Sequence, residues 1–135
     1  MKILARDIGH DKFIEMLKKA SSEAIAEATK KRAQDLPKKD LAAFLAPMKA
    51  DPYFWNHVLT YEFVEDTEKA AEIKVTECLF AKTFREMDAA DIGYVALCDT
   101  NFAAAPAFNP KMKMIRAKTL MQGHDCCNHR WIMEG

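Results

Sequence analysis

The apolar positions change their period along the chain, and those changes divide it. From residue 7 to 34 they recur at helical spacing through Phe13, Met16, Leu17, Ala20, Ala24 and Ala28, with Lys, Glu and Arg opposite. That pattern predicts one long helix, with Asp7 placed to cap its start and Pro37 beyond its end. Past Ala20 the stripe is mostly alanine, which suits close packing and could pair this helix across a homodimer. A short second helix is predicted from Asp40 to Ala46 on Leu41, Phe44 and Leu45, ending near Pro47. The stretch A-D-P-Y-F-W-N, 50 to 56, is predicted to be a connector tucked into the core by its aromatics.

From His57 the period shortens to two. Leu59, Tyr61 and Phe63 alternate with polar residues, a polar turn covers 65 to 69, and Ala71, Ile73 and Val75 alternate again. This predicts a hairpin. Helical spacing returns over 78 to 87 through Phe80, Thr83, Phe84 and Met87, and a further helix is predicted from Asp91 to Asp99. Residues 100 to 110, with prolines and no charge, predict an ordered loop. A strand follows over 111 to 121, Gly123 turns the chain, and 126 to 133 pair back as the last strand. The order α-α-β-β-α-α-β-β has its elements in pairs rather than in β-α-β alternation. The predicted class is therefore α+β, a four-stranded antiparallel sheet of two hairpins with helices on one face.

A chain of 135 residues is expected to form one domain, 1–135, with a helical part over 1–50 and an α+β core over 55–133. Twenty basic residues balance twenty acidic ones, which argues against a nucleic-acid partner. No apolar run is long enough to cross a membrane, so no membrane partner is expected. Arg6 and Asp7 interrupt the apolar N-terminus, which does not read as a signal peptide. The expected location is cytoplasmic, where the four cysteines would be thiols or ligands rather than disulfides.

Candidate chemistry gathers on those cysteines. Cys78 stands where a strand passes into a helix, Cys98 at a helix end before Asp99, and Cys127 on the final strand, within G-H-D-C-C-N-H-R-W-I-M. A nucleophilic thiol needs a lowered pKa, and Asp99 works against that at Cys98. A base would come from His57 or His129, with Asp99 better suited to orient the imidazole. Arg116 and Lys118 share a strand face and Arg130 lies on the facing strand, a basic group suited to a small anionic substrate or to guarding a sheet edge. Cys78, Cys98, Cys127 and His129 also make up a Cys₃His set of the kind zinc accepts, without motif spacing. Alternation puts Cys127, His129 and Trp131 on one face of the last strand and Cys126, Asn128 and Arg130 on the other. Only one of those faces can meet Cys98; the inward pair is expected to be Cys127 with His129, and the rival is that Cys127 and Trp131 are core packing.

An ordered series of short motifs runs through the second half. C-x-x-A-x-x-F spans Cys78 to Phe84, followed by Gly93-Tyr94, Cys98-Asp99, Phe108-Asn109-Pro110, and T-L-M-x-G-x-x-x-C-x-H-R from Thr119 to Arg130. The series resembles the L-2-amino-thiazoline-4-carboxylic acid hydrolase-like family over residues 55 to 133. The resemblance implies hydrolysis of a non-peptide C–N bond in a small cyclic amidine or thiazoline carboxylic acid, opening the ring to a carbamoyl-cysteine. It would make Cys98 or Cys127 the chemical centre, Asp99 and His129 the proton handlers, and Arg130 or Arg116 the carboxylate clamp. No cofactor is required by that reading. The alternative is a non-catalytic small-molecule or metal-sensing domain that uses its thiols as ligands.

Overall fold

In the computed structural model, which describes residues 1–135, the helix predicted over 7 to 34 is α2 (His10–Gln34), and a shorter helix that was not predicted, α1 (Lys2–Ile8), precedes it. They part at Gly9, whose φ of 100° only glycine adopts without strain. Asp7 therefore lies inside α1 and does not cap α2. The packed side of α2 carries Phe13, Thr29 and Ala33, all buried. Met16, Ala20, Ala24 and Ala28 form a neighbouring ridge that faces solvent.

The next helix, α3 (Leu41–Ala50), starts where the Asp40 carboxylate accepts the Ala43 N–H at 2.8 Å. It continues through Pro47, because Leu41 and Leu45 anchor its buried side in the core. The expected connector is a helix, α4 (Pro52–Val58), with proline at its first position, where no N–H is needed. Its aromatics do not tuck in as expected: Tyr53 is 73% exposed and Phe54 51%.

The first hairpin is as predicted, β1 (Leu59–Asp66) with β2 (Ala70–Cys78). Next come α5 (Leu79–Glu86) and α6 (Ala90–Gly93), which runs into a π-helical turn at Tyr94–Cys98. The predicted loop is a helix, α7 (Asn101–Phe108). Three consecutive alanines, Ala103 to Ala105, favour it, while Pro106 falls in its last turn and Pro110 beyond its end.

The predicted strand over 111–121 shrinks to β3 (Met112–Ile115). Asn128 is the reason. Its Oδ1 accepts the N–H groups of Ala117 and Lys118 at 3.0 and 2.7 Å, replacing the next ladder bonds and turning the chain aside. A 3-10 turn follows at Leu120–Gln122, capped by the buried Thr119, and closes at Gly123 with φ 93° before β4 (Cys127–Met133).

The sheet order is β1-β2-β4-β3, all antiparallel, so the two hairpins join along β2 and β4. On the inner face Ala71, Ile73, Val75, Met112, Met114 and Trp131 meet Leu41, Leu45, Ala105 and Phe108 from the helices. The other face carries Glu62, Glu72, Lys74, Asn128 and Arg130. The α+β class and the antiparallel sheet are thus as expected. No helix is long and apolar enough to cross a membrane.

Candidate functional site

Register decides which side chains of the last strand reach the interior. Cys127 lies opposite Val75 and His129 opposite Ile73, both buried core residues, so these two point inward with Trp131. The Trp131 and His129 rings sit 5.8 Å apart. Pairing of β3 with β4 matches Met114 to Trp131 and Ile115 to Arg130. One step further along the same register, Arg116 falls beside His129.

Arg116 does point that way. Its Nη1 donates to the Cys98 carbonyl at 2.9 Å and its Nη2 to the Tyr94 hydroxyl at 3.3 Å. The guanidinium also lies 4.9 Å from the Phe102 ring and 5.7 Å from the Tyr94 ring, within cation–π range. Tyr94 and Cys98 are the first and last residues of the π-helical turn, whose wide bond runs from the Asp99 N–H to the Tyr94 carbonyl at 2.8 Å. A single arginine therefore staples both ends of a turn type that concentrates at functional sites. None of the chain's ion pairs includes Arg116. A half-buried guanidinium with no carboxylate of its own retains the capacity to pair with an anion.

The groups around it are neutral. Burial pushes the Cys98 thiol up to about 11, against a smaller opposing pull from Arg116, with Cys127, Cys78 and Asp99 adding to the rise. Burial likewise raises Cys127, whose Sγ accepts the Leu120 N–H at 3.2 Å. At pH 7 a thiol of pKa 11 is ionised in about one molecule in ten thousand, too few for an efficient thiolate nucleophile. His129 moves the other way, down to about 4, through burial first and the Arg116 charge second. It is a neutral imidazole at physiological pH. Asp99, 15% exposed at its side chain, faces Lys18 of α2 at 3.8 Å.

Not every expected residue joins this cluster. Arg130 lies on the opposite face of the sheet, where its guanidinium forks Glu65 with bonds of 2.7 and 3.1 Å. That pairing draws the Glu65 carboxyl below its usual range and occupies Arg130, so it is no carboxylate clamp. Lys118, beyond the end of β3, pairs with Asp125 instead of sharing a face with Arg116. His57 stacks on Tyr53, 4.7 Å away, and lies on an open groove rather than beside Cys98. The Cys₃His set of Cys78, Cys98, Cys127 and His129 does not close into a ligand group, since no three His, Cys, Asp or Glu side chains converge to hold a metal ion.

The motif residues Cys78 and Asn109, and His124 within the last motif's span, turn out to be architectural. Cys78 caps α5, its Sγ accepting the Ala81 N–H at 3.4 Å. Asn109 binds the Lys39 carbonyl and the Lys111 N–H, tying the end of α7 to the chain before α3. His124 Nδ1 accepts the Thr119 N–H at 3.0 Å and secures the turn into β4. Tyr94 and Phe102, the aromatic walls of Arg116, were missed as site residues. The Gly93-Tyr94 pair was visible in the sequence, but its contact with Arg116 depends on the π-turn and on the end of β3.

A family model described as L-2-amino-thiazoline-4-carboxylic acid hydrolase matches residues 1–131, so the match takes in the N-terminal helices as well as the motif-bearing half. No curated protein matches the chain. Among solved structures, the chain resembles the phenol-responsive sensory domain of the transcription activator PoxR, determined with phenol. The two share 11% identity with a TM-score of 0.59, over 98% of this chain and 70% of that one, a likeness of fold.

Proposed function

Because the chain belongs to the L-2-amino-thiazoline-4-carboxylic acid hydrolase family, we propose that it hydrolyses a C–N bond in a small cyclic amidine carboxylic acid, with the substrate carboxylate held by Arg116. The observation that carries this reading is the half-buried Arg116 guanidinium, free of any acidic partner, among Cys98, Cys127 and His129. The charge states favour water over a thiolate as the nucleophile. Water adds to the amidine carbon while neutral His129 takes its proton, and the endocyclic C–N bond breaks. The departing nitrogen takes the Cys98 proton together with the hydroxyl proton of the addition intermediate, whose C–OH becomes C=O, and the proton on His129 then returns to Cys98, which restores both groups. Asp99, which raises Cys98, helps keep that proton on sulfur until the bond breaks.

The test is turnover of L-2-amino-thiazoline-4-carboxylate by the purified chain, followed by mass spectrometry, with calorimetric binding on the same samples. Wild type is expected to bind and open the ring. Arg116→Gln is expected to lower affinity about 30-fold or more, the worth of a charge-assisted pair of about 2 kcal/mol. Arg130→Gln, remote on the other face, should stay within about twofold of wild type. Equal affinity in wild type and Arg116→Gln would sink the assignment.

A second reading draws on a specific observation, the protonated thiols on a fold shared with a sensory domain. On that reading the same Arg116 cluster binds a small acid without turning it over. Binding that depends on Arg116, with no ring opening, would select it.

A further inference from the structure

A groove of about 760 Å³ opens where α4, the far end of the first hairpin and α5 meet, on the other side of Cys78 from the core. Its volume lies in the range of small-molecule sites. It does not include Arg116, Cys98 or His129. What marks it is its charges. Lys82 and Arg85 of α5 line it together with Glu86 of the same helix and Glu77 of β2. None of these four takes part in an ion pair, although both signs face one space. Of the charges around the sheet, Lys49 closes on Asp66, Lys113 on Glu134, Lys118 on Asp125 and Arg130 on Glu65, while Glu62 and Lys74, opposite each other on β1 and β2, stay unpaired on its open face. Arg85 spends one donor, at 3.5 Å, on the Leu120 carbonyl, which leaves the rest of its fork free. Apolar side chains, Val58, Leu59, Leu79, Ala81 and Leu120, line it next to the Cys78 sulfur, and His57 of α4 faces the same space.

A ligand complementary to this groove carries a cation and an anion close together on a small body with an apolar side. We propose that the groove is a binding site for a free α-amino acid. Its carboxylate lies on Arg85 and Lys82, its ammonium between Glu77 and Glu86, and its side chain against Leu79 and Cys78. The assignment does not rest on the hydrolase reading, because the Arg116 cluster supplies none of these groups.

Cys78 is the reporter. Its thiol lines the groove and is only partly buried, so an occupant shields it from alkylation. The experiment measures the rate at which iodoacetamide labels Cys78 in the intact chain, resolved by peptide mass spectrometry, with Cys98 as internal reference. L-methionine, N-acetyl-L-methionine and L-methionine methyl ester serve as probes carrying both charges, the anion alone and the cation alone. L-methionine at about 10 mM is expected to slow labelling of Cys78 about threefold, which corresponds to a Kd of about 5 mM, and to leave Cys98 unchanged. The two singly charged analogues should give less than about half of that protection. Arg85→Gln should abolish it, whereas Arg116→Gln should keep it, which separates failure here from failure of the hydrolase reading. No protection by L-methionine, or equal protection by the N-acetyl compound, would overturn the proposal. So would protection that survives in Arg85→Gln.

Discussion

Replacing His129 with Phe is expected to flatten the acid limb of the protein's stability curve. Burial and the Arg116 charge hold the His129 pKa near 4 in the folded chain, against the ordinary 6.5 of a solvated imidazole in the unfolded chain. Between those values the unfolded state binds a proton that the folded state refuses. Stability is therefore fully present above about pH 6.5, falls as the pH drops towards 4, and loses nothing more from this residue below that. The interval corresponds to at most about 3 kcal/mol, a large fraction of the stability of a domain this size. Glu65 and Asp125, whose carboxyls are drawn down by Arg130 and Lys118, also lose their contribution as the pH falls past their ordinary values of 4.5 and 3.8, but they do so equally in wild type and His129→Phe. Phe keeps a flat ring beside Trp131 and removes the titration. Urea unfolding at pH 7.5 and pH 4.5 checks this: the wild-type midpoint should fall steeply between the two, and that of His129→Phe much less. Equal falls in both proteins would mean that His129 is not the buried neutral imidazole described above.

The same residue shows how far the sequence reached. Alternation along 126 to 133 put Cys127, His129 and Trp131 on one face, and register with Val75, Ile73 and Ala71 confirms that face as the inner one. Alternation also separated Arg130 from it, yet the basic run beside it still suggested a clamp. Only the register across the whole sheet reveals that Glu65, two strands away from Arg130, takes its guanidinium. A periodic pattern says which way a side chain faces, but not which neighbour has already claimed it. The hairpins and the α+β class were legible for the same reason, since period-two alternation is a local property of each strand.

The missed elements are those in which a local rule was overruled or a single residue changed the path. α1 buries only Ala5 and leaves Ile3, Leu4 and Ile8 exposed, so it has no inward apolar stripe by which the sequence would show it. Pro106 and Pro110 suggested a loop over α7, but Pro110 lies past its end, and Pro106 forfeits one hydrogen bond near the end of a helix whose Ala105 and Phe108 are held in the core. The shortening of β3 is caused by an amide on another strand, Asn128, at no regular spacing from Ala117 and Lys118. The π-turn is the extreme case. Its residues Tyr94 to Cys98 continue a helical pattern, and the wider turn is visible only in the bond from the Asp99 N–H to the Tyr94 carbonyl and in the arginine stapling its ends.

Substituting Gly93 with Ala, just before that turn, is expected to destabilise the protein and to loosen the candidate site with it. Gly93 has ordinary helical angles, φ −59° and ψ −38°, so alanine is not excluded by its backbone. In an open helix the change would add up to about 1 kcal/mol of stability. Space decides the sign. A Cβ at Gly93 would stand 2.6 Å from Cγ of Phe84 and 2.9 Å from both the sulfur and the terminal methyl of Met121. The methionine end can swing aside, but Cγ is the root of the Phe84 ring and moves only if the whole ring changes its χ1 rotamer or the helix shifts. Overpacking of this kind costs about 1–3 kcal/mol or more, which outweighs the gain in propensity. Because α6 leads directly into Tyr94, the displacement is carried to the hydroxyl and ring that hold Arg116. The expected result is a lower urea midpoint for Gly93→Ala, together with weaker binding of the carboxylate ligand than in Arg130→Gln. A midpoint equal to or above wild type would show that the helix moves freely away from Phe84, and that the close approach at Gly93 does not hold the π-turn in place.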